Sequence, residues 1–114
     1  MLTSGDVVEA DLGTSAGREA GFRHPAVVVT AQRILDASPS VMHIVPLTST
    51  VRGFDSEVVI DADGGTGLQH RSAAQCQHLR SVSGSRLSDR VGNVGPEYLA
   101  QIREVIATLL DLPG

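Results

Sequence analysis

A mainly β domain with added α structure, made of five or six short strands and one terminal helix, is what the order of residues in this chain predicts. Its apolar runs are short and bounded by turn residues, as Ala26-Val-Val-Val29 is. Between two later apolar runs stands Asp61-Ala-Asp-Gly-Gly-Thr-Gly67, rich in residues that tolerate positive backbone angles. Only the last segment repeats apolar residues at three- and four-residue steps. Together these fit a small, strongly bent antiparallel sheet or open barrel with a C-terminal helix packed on it. At 114 residues the chain is long enough for one core and too short for two comfortable ones, so one domain over residues 1–114 is expected.

Val7 to Leu12 reads as the first strand and Pro25 to Thr30 as the second, with a mobile Gly-rich loop between them. Ala31 to Ala37 has room for a short helix before Ser38-Pro39-Ser40, and Val41 to Leu47 returns as a strand. Ser56 to Ile60 and Ser72 to Gln77 read as a hairpin around the Asp61–Gly67 turn, which would place Cys76 in a strand as a small buried hydrophobe. In the last segment Pro96 suits a first helical turn, and Leu99, Ile102, Ile106, Leu109 and Leu110 form an apolar stripe. Each stripe residue stabilises the fold by roughly 1.5–3 kcal/mol if fully buried.

Composition narrows the function classes. Only Phe22, Phe54 and Tyr98 are aromatic, which argues against base recognition on a broad stacking platform. The net charge of −4 weighs against a large non-specific nucleic-acid surface, although all nine basic residues are arginine, the residue suited to bidentate phosphate contacts. A single cysteine allows no intrachain disulfide and no cysteine-based metal cluster. No apolar stretch approaches a membrane span and no signal-peptide core is seen, so a cytoplasmic location without membrane attachment is expected. Asp61-x-Asp-Gly lacks the downstream ligands of a calcium loop, and His43 has no ligand partner at metal spacing. Phosphate-binding Gly-x-x-x-x-Gly-Lys loops and Gly-x-Ser-x-Gly elbows are absent, and no cofactor is implied.

The most informative segment is Gly17-Arg-Glu-Ala-Gly-Phe-Arg-His-Pro25, running directly into the Ala26–Val29 strand, with Val45-Pro-Leu-Thr-Ser-Thr50 further on. A flexible cationic loop before a buried strand is how a rigid scaffold presents groups to an anion. The pair resembles the MazF/PemK/Kid family of toxin endoribonucleases, whose members carry Gly-x-Glu-x-x-Gly-x-Arg-Pro, an apolar strand and Pro-x-Thr-[Ser/Thr]. Similarity extends through Gly5–Leu12, Gly53–Ile60, Gln75–Val82, Arg86-Leu87 and Val91–Leu112. The resemblance implies an SH3-like barrel, usually a two-fold dimer. It also implies a toxin of a type II toxin–antitoxin pair, bound by a small antitoxin whose extended acidic and apolar segment covers the RNA groove. Such toxins cleave single-stranded RNA without a metal: a ribose 2′-hydroxyl attacks its neighbouring phosphate, leaving a 2′,3′-cyclic phosphate and a 5′-hydroxyl.

One departure changes the chemistry. Aligning Gly17, Glu19 and Pro25 puts His24 where the family usually has its catalytic arginine, with Arg23 one place upstream. Arginine clamps charge and keeps its proton, whereas histidine exchanges one near neutrality. Arg23 is therefore assigned to charge stabilisation, His24 to proton transfer, and Thr48, on the family's motif threonine, to a hydrogen bond with a phosphate oxygen. Ser49 and Thr50 are secondary donors, and Arg18 lies in the same cationic loop. Some relatives carry arginine and aspartate where this chain has Gln75 and Gln77. Glutamine is no base, so Glu19, His24 or His78 are the base candidates, and Gln75, Gln77 and His78 read as contacts to base edges or sugar. The cations Arg18, Arg23, His24, Arg52, His70, Arg71, His78 and Arg80 all fall in or beside segments the family uses for its RNA groove. Two other classes share the resemblance: gyrase-poisoning toxins of this fold that cut nothing, and weakened relatives that only bind antitoxin or RNA.

Overall fold

The computed structural model describes residues 1–13 and 23–113. Seven strands form one antiparallel sheet. They are β1 (Asp6–Asp11), β2 (Arg23–Val28), β3 (Val41–Thr48), β4 (Glu57–Ile60), β5 (Ser72–Gln75), β6 (Arg80–Ser83) and β7 (Leu87–Asn93). Helix α1 (Gln32–Leu35) follows β2, and α2 (Gly95–Leu109) ends the described chain. The strand order is β4-β5-β3-β2-β1-β7, with β6 paired to β3. The expected mainly β architecture with a C-terminal helix is what forms, as an open sheet.

Strand β3 organises the rest. On one edge it pairs with β2, Ala26 opposite Pro46 and Val28 opposite Ile44. Its other edge is shared, β6 taking Val41–Ile44 and β5 taking Leu47 and Thr48, opposite Ala74 and Ala73. Because a strand's side chains alternate between faces, valine-rich strands feed two cores. Val7, Val27, Val45, Leu47 and Ile60 pack beneath α2 with its Leu99 and Ile102. Val8, Ala10, Ala26, Val28 and Ile44 pack on the opposite face with Leu35 of α1.

A turn, not a strand pair, brings the sheet's ends together. After β4, Asp63 Oδ1 accepts N–H bonds from Gly65 and Thr66, each at 2.8 Å, and the Asn93 N–H of β7 then donates to Gly65 O at 2.9 Å. The approach leaves no room for side chains. A Cβ on Gly67, whose φ is +71°, would lie 2.0 Å from Val91 O, and one on Gly92 would lie 2.3 Å from the Thr66 backbone. Arg103 ties α2 to the end of β2, donating to Val29 O at 3.1 Å and Thr30 O at 3.4 Å.

Beside this closure lies a buried carboxylate. Asp6, fully buried, accepts from Thr3 N at 2.7 Å, Arg90 Nε at 2.8 Å and Asn93 Nδ2 at 3.0 Å. Burial alone pushes its pKa up, but these hydrogen bonds and the Arg90 charge outweigh it and hold the carboxyl below its ordinary value.

Several boundaries differ from expectation. The fifth strand stops at Gln75, and Cys76–His78 form a 3₁₀ turn with Leu79 N–H bonded to Cys76 O at 3.1 Å, because the chain must leave β5 to enter β6 further along β3. Cys76 is nonetheless buried, and burial raises its thiol pKa to about 11. The helical stripe is shorter than its pattern, since Leu109 and Leu110 are 47% and 56% exposed, beyond the part of α2 that sits on the sheet. Strand β6 and the first half of β7 escaped the apolar pattern because they are mostly exposed edge segments. The loop expected to be mobile lies outside the described residues. No helix among the described residues is long and apolar enough to cross a membrane.

Candidate nucleic-acid cleft

Where β2 begins and β3 ends, the sheet opens into a cleft of about 480 Å³, within the size range of small-ligand sites. Arg23, His24 and Pro25 of β2 line it, with Leu47 and Thr48 of β3 and then Ser49. Glu9 of β1 and Val91 of β7 close one side, and Gly67–His70 with Ser72 form the wall contributed by the β4–β5 connection. Three residues expected to do the chemistry, Arg23, His24 and Thr48, thus share one cavity, though 25 residues separate the outermost two.

Pleating separates the two neighbours on β2. Val27 packs in one core while Ala26 and Val28 pack in the other, so Arg23 shares the face of Pro25 and Val27, and His24 that of Ala26. Continuing the β2–β3 register two places beyond Ala26 and Pro46 sets His24 opposite Thr48. Arg23 is exposed and reaches toward β7, its Nη1 donating to Ser88 Oγ at 2.9 Å. His24 is half-buried.

Local bonding prepares the Thr48 hydroxyl. The Thr50 N–H donates to Thr48 Oγ1 at 3.1 Å, so the hydroxyl accepts from the backbone while its own hydrogen can be given to an anion. Thr50 is thereby a support for Thr48 and does not itself line the cleft. On the opposite wall Ser72 Oγ donates to His70 O at 2.9 Å, and Arg71 pairs loosely with Asp61 at 3.7 Å.

Other expected contacts lie elsewhere. Gln75 stands at the far end of β5, opposite Glu57, and Gln77 and His78 are in the 3₁₀ turn beyond it. The three residue steps from Ser72 to Gln75 cover about 10 Å, which takes these three away from the cleft at the Ser72 end. Gln77 Nε2 instead donates to Glu57 Oε2 at 3.2 Å, and the other carboxylate oxygen, Oε1, is buried without a hydrogen bond among the described residues. Arg18 and Glu19 lie outside the described residues. Glu9, Gln69 and His70 line the cleft without having been marked as site residues in the sequence. Only the cationic clustering of His70 hinted at it, because nothing local shows which strand end a turn will meet. Among the described residues, no group of three His, Cys, Asp or Glu side chains is placed to hold a metal.

An antiparallel sheet with a cleft where its second strand begins and its third ends, backed by a terminal helix, defines the class. Residues 3–110 match the family described as PemK-like, MazF-like toxin of type II toxin–antitoxin system, and the chain belongs to that family. It is 33% identical to "Endoribonuclease MazF9" of Mycobacterium tuberculosis strain ATCC 25618 / H37Rv over 117 residues, covering 98% of each chain. Its fold is similar to MazF from Deinococcus radiodurans, with a TM-score of 0.78 and 26% identity over 97% of both chains. It is also similar to an endoribonuclease from a mycobacterial species solved with its cognate antitoxin, with a TM-score of 0.79 and 22% identity over 100% of this chain and 99% of that one.

Proposed function

We propose that this chain acts as a metal-independent, sequence-specific endoribonuclease on single-stranded RNA, the toxin of a toxin–antitoxin pair. As a family member it is a MazF-type toxin and an endoribonuclease. The observation that carries the specific chemistry is the convergence of Thr48, His24 and Arg23 on one cleft.

Cleavage by 2′-hydroxyl attack needs a group to take the 2′-proton, groups to stabilise charge on the phosphorane, and a group to protonate the leaving 5′-oxygen. His24, opposite Thr48 across the β2–β3 register, takes the 2′-proton. Thr48 donates its hydroxyl hydrogen to a non-bridging phosphate oxygen. Arg23 swings its guanidinium from Ser88 to the same phosphate, a long, flexible cation covering the place of the family arginine from one residue upstream. Ser49 adds a donor at the rim. The products are a 2′,3′-cyclic phosphate and a 5′-hydroxyl.

The partner is a cognate antitoxin, in keeping with the family description, and we take this groove as the surface that a small antitoxin covers. The chain works as one domain and as a homodimer, by analogy with its family, in the cytoplasm. The grouping of Arg23, His24 and Thr48 in the cleft favours cleavage over a gyrase-binding role through the terminal helix, which would not need it.

Incubation with varied single-stranded RNAs in EDTA, followed by analysis of the new ends, tests the proposal. Cyclic-phosphate and 5′-hydroxyl ends, lost in Arg23→Ala or His24→Ala, are expected. Ends of another chemistry, or cleavage that requires a divalent ion, would overturn it.

A further inference from the structure

Three services are required by the reaction, and the residues placed above cover only two of them. No group has yet been given the proton for the leaving oxygen. In-line displacement sharpens that need, because the attacking and leaving oxygens lie on opposite sides of phosphorus. A base and an acid must then stand on opposite walls with the phosphate between them.

The topology supplies such a pair. β3 lies between β2 and β5 in the sheet. Thr48 on β3 has Ala73 opposite it on β5, and the β2–β3 register extended two places beyond Ala26 and Pro46 sets His24 on its other side. His70 enters from that second side, two residues before Ser72 at the start of β5, and lines the same cleft as His24 and Thr48. Strands β2 and β5 are two inter-strand spacings apart, about 10 Å, which leaves room for a phosphodiester between two imidazoles. The backbone carrying His70 is held on both sides. Its carbonyl accepts the Ser72 hydroxyl, and the preceding turn is locked by Asp63, Thr66 and the Gly65–Asn93 bond to β7.

We propose that His70 is the general acid of this cleft, acting across the scissile phosphate from His24. The assignment rests on the endoribonuclease reading of the site. As the bond between the 2′-oxygen and phosphorus forms, the 2′-proton passes to the neutral His24 ring. As the bond between phosphorus and the 5′-oxygen breaks, the protonated His70 ring gives its proton to that oxygen. The electron pair of the broken bond stays with the 5′-oxygen, and both rings return to their starting states by exchange with water. Nothing is oxidised or reduced. The charged or titratable side chains facing His70 in the cleft are Glu9 from β1 and Arg23 and His24 from β2, with the Arg71–Asp61 pair on its own connection.

The test compares ordinary RNA with RNA carrying sulfur in place of the 5′-bridging oxygen at the cut site. A thiolate leaves without needing a proton, so loss of the acid matters little on that substrate. His70→Ala, an exposed position whose variant is checked for folding by circular dichroism, should cleave ordinary RNA at least about 100-fold more slowly than the unaltered protein. It should also lose the alkaline limb of the pH–rate profile. On the sulfur substrate it should recover to within about 10-fold, while His24→Ala should not. Equal slowing of His70→Ala on both substrates, or no slowing on either, overturns the acid role while leaving the nuclease reading intact. No cleavage of either substrate by the unaltered protein overturns both.

Discussion

The two ends of strand β1 handle charge in opposite ways. At its start, Asp6 is fully buried and takes hydrogen bonds from a backbone N–H, a guanidinium and a side-chain amide. Toward its other end, Glu9 borders a cleft where, among the described residues, the exposed Arg23 guanidinium, with five donors, gives one hydrogen bond to a serine hydroxyl. Both regions join β1 to β7. The first group's polar demands are met within the protein, as a buried charge requires, so it holds the sheet together. Under the proposed function, the second group's donors serve an anion. Internal satisfaction, more than residue type, would then separate a structural charge from one used on the substrate.

The largest effect is expected from Thr48→Ala. Cleavage should slow by about 100-fold with little change in the urea midpoint, measured by single-turnover kinetics and equilibrium unfolding. An unchanged rate would remove Thr48 from the site. Asp6→Asn should give the reverse pattern, losing about 1–3 kcal/mol of stability because hydrogen bonds to a buried charge are weakened, while activity per folded molecule is kept.

That stability gap should also depend on pH. Asp6 has a folded pKa below its unfolded value, so its contribution is present above roughly pH 4 and lost as pH falls through the folded value. Urea midpoints of the unaltered protein and Asp6→Asn should therefore converge on acidification. A constant gap down to pH 3 would show that the carboxylate's charge is not what the network uses. Least affected should be Arg71→Ala. Its partner Asp61 is 3.7 Å away and both side chains are well exposed, so removal should shift stability by less than about 0.5 kcal/mol.

Patterning reached far into this molecule. The strand carrying Ala26–Val28, which ends at Val28 and not at the expected Thr30, the turn at Asp61–Gly67 and the start of the terminal helix formed close to where local chemistry placed them, because burial and turn geometry are decided over a few residues. Arg23, His24 and Thr48 could be picked out because two short motifs mark them. Local pattern failed where the partner is distant. Gln77 looks like a strand residue, yet the exit from β5 puts it in a 3₁₀ turn, where its side-chain amide donates to Glu57 instead. Leu109 and Leu110 continue a helical stripe past the sheet that would bury them.

By itself, then, the sequence determined most of the strands, though not β6 or the first half of β7, together with the terminal helix and the three residues proposed for the chemistry, since periodicity and motif spacing are written along the chain. Which of two adjacent side chains shares the face of Thr48 was decided by the register of β2 on β3. The arrival of His70 and Glu9 in the same cleft was decided by strand order and by the Gly65–Asn93 bond that draws the β4–β5 connection onto β7. Pairing between strands far apart in sequence sets those positions, and no local window of residues contains it.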